Sequence, residues 1–250
     1  MRVEGIVAYE RDFDNTGIDS QGKKHRFLQQ QIEIPGENAN MNYVLTQPAS
    51  GDRSYYYNTQ VNKDQIVIHF TMGYLKGDIG SLTKPNYHVS VPFVIGRNGT
   101  IYNLFSSNFW SYHLGRGAVG GNEIRSKATI GIELSNIGGL KKTTRGMATY
   151  YNDIYCDVDQ TQYYQRGSFR NFDCFATFTD AQYESLITLL RYLTARFNIA
   201  RKFLLENLRY ETFNDVVNFD GIVTHVNYRS DGKVDIGPAF DWERVIAAVS

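Results

Sequence analysis

The run from Thr224 to Trp242 gathers His225, Lys233 and Asp235 into one turn-rich stretch. A neutral imidazole and a carboxylate are both good ligands for Zn2+, and a catalytic zinc takes three protein ligands while one position stays open. The third ligand has to come from elsewhere in the chain. His69 is the best candidate, at the end of the apolar run Gln65-Ile66-Val67-Ile68-His69-Phe70. The length and β-branched content of that run predict a strand, and a strand end holds a ligand rigidly. In extended backbone, residues two apart point the same way, so Lys233 and Asp235 can share one side while Val234 points away. Asp235 then ligates, and the Lys233 ammonium stabilises negative charge developing nearby. The plain alternative for Lys233 and Asp235 is a solvated turn pair.

A further carboxylate, Glu133, interrupts the otherwise apolar run Ala128-Thr129-Ile130-Gly131-Ile132-Glu133-Leu134. Burial would raise its pKa and suit it to accept a proton from water beside the metal. An edge-strand glutamate facing solvent is the competing reading.

The elements that must position these groups can be read from periodicity and turn chemistry. His88–Ile95 and Thr100–Phe105 read as strands joined by Gly96-Arg97-Asn98-Gly99, where Asn-Gly supplies the positive φ of a tight hairpin. Gly221 to His225 forms another strand and delivers His225 at its carboxyl end. Thr179 followed by Gln182 matches a capping box, and Leu186, Leu190, Leu193 and Phe197 then make one buried helical face. Shorter helices are expected at Phe203–Leu208 and from Asp241 to Val249. These elements predict an α/β (α+β) domain with a central mixed β-sheet flanked by helices. Residues 1–60 are polar and rich in turns, and read as an N-terminal extension, either an extended arm or a small β-rich piece, and not as a second globular domain. Residues 61–250 form the catalytic domain, with a tyrosine-rich insertion at 138–178.

Composition narrows the function classes. The chain has 250 residues, and its 26 basic and 26 acidic side chains cancel. That balance gives no electrostatic case for binding nucleic acid or an anionic membrane. No apolar run approaches a membrane span, so no membrane insertion is expected. The first residues lack the apolar core of a signal peptide, which implies synthesis in the cytoplasm. The 18 tyrosines suit stacking against sugars or peptides, or an ordinary core rim. Cys156 and Cys174 show no metal-knuckle spacing and read as free thiols, with one disulfide as the alternative.

Five segments occur in an order that resembles the zinc-dependent N-acetylmuramoyl-L-alanine amidases of type 2, which share a fold with peptidoglycan recognition proteins. They are Ile66-Val67-Ile68-His69, Phe93 through Tyr102, Tyr112-His113-Leu114-Gly115, Ile130-Gly131-Ile132-Glu133-Leu134, and His225 through Trp242. The resemblance covers roughly Gln65 to Val249. It implies a Zn2+ cofactor held by His69, His225 and Asp235, with Glu133 and Lys233 as the catalytic pair. The substrate it implies is peptidoglycan or its muropeptides, cut between the lactyl group of N-acetylmuramic acid and L-alanine. His113, Trp110, Tyr150, Tyr151 and Arg166 are then candidates for substrate binding, and residues 138–178 for a wall of the groove. The chain departs from the family pattern at Phe70, where a second histidine or tyrosine is common. It departs again at Val91 and Pro92, which disfavours a tyrosine-dependent mechanism, and at Ile236, which replaces the proline of Asp-Pro-Gly. A relative that binds peptidoglycan without cutting it, or a zinc hydrolase acting on another amide, are the alternatives. Action on the wall would require delivery or release, and the arm at 1–60 would dock to a larger assembly.

Overall fold

A computed structural model describes residues 1–250. In chain order its elements are α1 (Val3–Thr16), β1 (His25–Glu33), β2 (Asn40–Pro48), β3 (Gln65–Phe70), α2 (Leu75–Leu82), β4 (Phe93–Ile95), β5 (Ile101–Asn103), α3 (Asn122–Ala128) and β6 (Thr129–Leu134). They continue with β7 (Gly139–Thr143), β8 (Gly146–Ala148), β9 (Ile154–Cys156), β10 (Tyr164–Phe169), β11 (Phe172–Ala176), α4 (Asp180–Phe197), β12 (Gly221–Thr224), α5 (His225–Tyr228) and α6 (Trp242–Val249). Seven strands make a mixed sheet in the order β1-β2-β5-β4-β6-β3-β12. Its core is parallel: β4, β6, β3 and β12 run alongside one another in the same direction.

The alternation of side chains explains why β3 is apolar throughout. Ile66, Ile68 and Phe70 pack with Leu186, Leu190 and Leu193 of α4 and Val245 of α6 on one face. Val67 joins Leu114, Val223 and Tyr228 on the other. A strand buried on both faces reads as a continuous hydrophobic run, and all six of its residues are buried. The buried stripe of α4 begins where its sequence signature placed it: the Thr179 hydroxyl accepts from the Gln182 amide, and the Gln182 side chain accepts from the Thr179 amide. Asp241 caps α6 by accepting from the Arg244 amide at 3.0 Å.

Residues 1–60 take the β-rich form of the extension: β1 and β2 make a nine-pair antiparallel hairpin, and β2 adds parallel to β5 near the sheet edge. Before them α1 buries Val3, Ile6, Glu10 and Phe13. Those positions recur at three, four and three residues, a helical stripe that a polar composition conceals. Phe13 packs with Tyr102 and Leu75 of one cluster, while Val3 and Ile6 pack with Leu140 and Tyr155 of another, so α1 joins the two. The strand expected from His88 begins only at Phe93, because Pro92 has no amide hydrogen for a ladder. The helix expected at Phe203–Leu208 shrinks to one 3-10 turn at Glu206–Leu208, since Phe203 bridges Ile222 in extended backbone.

The insertion builds its own layer, a five-stranded sheet in the order β10-β11-β7-β8-β9. Cys156 and Cys174 lie within it as buried free thiols, and burial pushes Cys156 up to about 11.

Glu10 ties α1 to the hairpin turn and has a consequence for stability. Its carboxylate accepts from the Arg97 amide at 2.9 Å, and burial pushes its pKa up to about 7 against the opposing charge of Arg97. The folded state therefore keeps a proton that the unfolded chain releases near 4.5. Stability from this group is full below that pH and falls as pH rises toward 7, by up to about 3 kcal/mol. Glu10→Gln should remove this dependence. Urea denaturation of both proteins at pH 5 and pH 8 is expected to show the variant gaining on the wild type with rising pH; a constant difference would contradict the assignment.

Candidate metal centre and active site

Three parallel strands end at the same edge of the sheet, and each supplies one residue there. His69 is next to last in β3, Glu133 is next to last in β6, and His225 follows the last residue of β12. His69 and Glu133 are direct register partners, so their side chains leave the same face of adjacent strands. The carboxyl ends of parallel strands are where α/β sheets usually bind ligands. Glu133 thus sits on an interior strand, not at the edge.

Asp235 arrives from the loop after α5. The Val226 amide donates to the Asp235 carbonyl at 3.0 Å, which fastens that loop to the helix carrying His225. Val234 and Ile236 on either side are buried in the main core, while Lys233 and Asp235 turn toward the cleft. The alternation read from sequence is therefore what the loop adopts. The loop is held from outside by the insertion. A side chain at Gly237 would lie 2.4 Å from Phe175 of β11, so the loop backbone packs directly on that ring. Arg170, in the β10–β11 turn, donates to the carbonyls of Lys233 at 2.5 Å and Arg229 at 2.9 Å.

The hydrogen-bond partners determine which ring nitrogens can ligate. The Thr129 hydroxyl donates to the Arg125 carbonyl at 2.7 Å, so it accepts from His113 Nε2–H at 2.9 Å. His113 Nδ1 is then an acceptor and receives a hydrogen bond from His69 Nε2–H at 3.1 Å. His225 Nε2–H donates to the Leu114 carbonyl at 2.9 Å. Both His69 and His225 consequently present an unprotonated Nδ1. The two Nδ1 atoms lie 2.8 Å apart, and each approaches Asp235 Oδ2, at 3.2 and 2.9 Å.

Three lone pairs facing one another without a proton among them repel unless a cation lies between them. The donor set is the N,N,O set of a catalytic zinc, and all three side chains are buried. Tetrahedral zinc ligands stand about 3.3 Å apart, close to the spacing here. Burial, then the neighbouring His225, pulls His69 down to about 4, so it is neutral at physiological pH. The residues fit a divalent metal.

Around this cluster lies a cleft of about 260 Å3 lined by Glu133, Lys233, His113, Tyr112 and Tyr151, among others. Glu133 Oε2 is buried there and has no hydrogen-bond partner. Burial and then the charge of Asp235 raise its pKa well above the ordinary value, with Lys233 opposing.

The proposed substrate contacts divide. His113 reaches the cleft but acts through His69, and burial holds it neutral. Gly131 makes room for it, since a side chain there would meet Val91 at 2.6 Å and the His113 ring at 3.1 Å. Tyr150 and Tyr151 stand exposed in the turn between β8 and β9, at the mouth of the cleft. Trp110 is instead buried, stacked on Tyr57 at 4.1 Å, and Tyr112 takes the cleft position. Arg166 is an exposed residue of the edge strand β10 and lines no part of the cleft. Arg170, four residues on, is the arginine that reaches the site; the Arg-Asn pair opening its turn was the available signal.

Comparison with known proteins places these features in a family. The family model described as N-acetylmuramoyl-L-alanine amidase matches residues 58–238. No curated protein matches the chain. Among solved structures, an AmpD derivative is 17% identical, with 80% of this chain and 99% of that chain covered and a TM-score of 0.43. The E. coli amidase AmiD, solved with anhydro-N-acetylmuramic acid-L-Ala-D-gamma-Glu-L-Lys, is 22% identical over 87% of this chain and 65% of its own, with a TM-score of 0.46. AmpDh3 from Pseudomonas aeruginosa is 16% identical over 79% and 65%, with a TM-score of 0.47. The family model spans well over half of the sequence, and the chain belongs to the N-acetylmuramoyl-L-alanine amidase family.

Proposed function

We propose that the protein is a zinc-dependent hydrolase of peptidoglycan or its muropeptides, cutting the amide between N-acetylmuramic acid and L-alanine. The observation that carries this is the convergence of two unprotonated Nδ1 atoms and Asp235 Oδ2 beside an unpartnered buried glutamate. Zn2+ held by His69, His225 and Asp235 would supply a Lewis acid and acidify water near neutral pH.

The remaining chemistry falls to the chain's own groups. Glu133 Oε2 accepts a proton from the attacking water and returns it to the nitrogen of the leaving L-alanine. A carboxyl whose pKa is raised can hold and release a proton near neutral pH, where one of ordinary pKa would stay ionised. The Lys233 ammonium faces the same cleft and stabilises the charge that develops on the amide oxygen. His113 and Thr129 hold the His69 ring at a fixed angle, the part that partners behind a metal-bound histidine commonly play.

Four measurements test the assignment. One zinc per chain is expected by elemental analysis, and His69→Ala should lose it together with hydrolysis of a muropeptide scored by mass. A chelator should abolish turnover and added Zn2+ restore it; undiminished turnover after verified removal of metal would refute the zinc assignment. Glu133→Gln and Lys233→Met should keep the metal and the fold while turnover falls by roughly 10² to 10⁴-fold. Near wild-type turnover in either variant would remove that residue from the chemistry. His113→Ala should bind zinc about 10 to 100-fold more weakly, read by competition with a chromogenic chelator. An unchanged affinity would show that His113 does not act through His69.

A further inference from the structure

The cleft continues past the ligand cluster into a chamber of about 550 Å3 built largely by the insertion. Its lining includes Lys141, Arg170, Lys233, Tyr150, Tyr151 and Phe172. Tyr151 and Lys233 also line the catalytic cleft, so the two spaces are continuous. Three cations and no carboxylate face the chamber, in a chain whose 26 basic and 26 acidic residues otherwise balance. The lobe on the other side of Glu133, about 450 Å3, is the reverse: Tyr9, Ser20, Tyr74 and Ser81 line it with Asp78 and Glu133, and it has no cation. The cleft is thus electrically polarised from end to end.

The three cations of the chamber are not equally free. Arg170 directs three of its five N–H groups at the Lys233 and Arg229 carbonyls and the Thr212 hydroxyl, so most of its donors are committed to holding the loop. Lys233 is assigned to the reaction. Lys141, on β7, forms no ion pair, and its ammonium lies 5.7 Å from the centre of the Phe172 ring. It is an exposed cation beside a half-open chamber, with the Phe172 ring beneath it and no anionic partner in the protein.

We propose that this chamber is an anion subsite that takes a carboxylate of the stem peptide, with Lys141 as its recognition cation. The proposal rests on the amidase reading and deepens it. Once the lactyl carboxyl is tied up in the scissile amide, the saccharide side of the bond carries no charge, whereas the peptide side carries free carboxylates. Only the peptide side gains from a cationic chamber, so the peptide runs toward Lys141 and the sugar toward the hydroxyl-lined lobe. Tyr150 and Tyr151 flank the peptide's path, and the insertion becomes the element that selects among peptides by charge.

The test uses two muropeptides that differ only in whether the carboxylate of the second peptide residue is free or amidated. In low salt, wild-type kcat/KM should favour the free acid by about two- to fivefold, through KM. Lys141→Gln should bring the ratio close to one without slowing the amidated substrate, and Lys141→Glu should invert it. The wild-type preference should shrink on raising salt. Equal use of both substrates by the wild type, or a ratio unmoved in Lys141→Glu, would overturn the anion subsite while leaving the amidase reading intact. Calorimetric titration of the two free stem peptides provides a readout independent of hydrolysis. Preferential binding of the acidic peptide, lost in Lys141→Glu, with neither muropeptide cleaved, would overturn the amidase reading and leave the subsite standing.

Discussion

Three acceptor atoms that would repel one another in isolation are held together at the carboxyl edge of a parallel sheet, and much of the architecture exists to keep them there. Nδ1 of His69, Nδ1 of His225 and Oδ2 of Asp235 lie 2.8 to 3.2 Å apart. The arrangement is enforced from behind. Leu114 and His113 occupy the Nε2 atoms, leaving the Nδ1 lone pairs no proton to carry. The apolar faces of β3 and β12 remove the freedom of the strands to relax. A cation at that point would relieve the repulsion, and its binding free energy would then add to folding stability.

This constraint also explains why a polypeptide longer than a minimal sheet-and-helix layer surrounds the site. Asp235 is on a loop, and a loop is a poor place to hold a ligand to within tenths of an ångström unless neighbouring residues lock it. The insertion supplies the locks, through Phe175 against Gly237 and Arg170 on the Lys233 carbonyl. The insertion sheet is in turn anchored by α1, whose Val3 and Ile6 enter its core with Leu140 and Tyr155. A helix at one end of the sequence thus supports a sheet that supports the loop bearing the third ligand.

The candidate ligands and the two further groups proposed for the chemistry were legible in the sequence because each sits where a local rule marks it. His69 ends a β-branched run, Glu133 interrupts one, and Lys233 and Asp235 flank a valine at period two. The capping box of α4 was legible for the same reason. What escaped notice depended on tertiary burial. The stripe Val3, Ile6, Glu10, Phe13 contains a carboxylate whose burial depends on Arg97, far away in sequence, and no composition count could foresee it. Trp110 looked like a ligand platform by residue type, yet Tyr57 covers it. Arg166 and Arg170 lie on the same hairpin, and only the turn at Arg170-Asn171, both with positive φ, decides which of them reaches the cleft.

The site carries an energetic burden that the fold has to absorb. Glu133 and Asp235 are two carboxyl groups near each other with little access to water, and Asp78, pushed up to about 6 by burial, adds a third. Two buried carboxylates close together cannot both be ionised cheaply. The structure resolves the conflict by giving them different surroundings: Asp235 converges with two histidine nitrogens on one point where a cation would hold it ionised, while the Glu133 carboxyl is desolvated with one oxygen unpartnered and holds its proton more readily. Separating two like groups in this way creates one ligand and one proton carrier from the same residue chemistry. The cationic chamber then has a second consequence. Of its three charges only Lys233 also lines the catalytic cleft and opposes the rise of the Glu133 pKa, so Lys141 and Arg170 can serve an anionic ligand without acting on the glutamate.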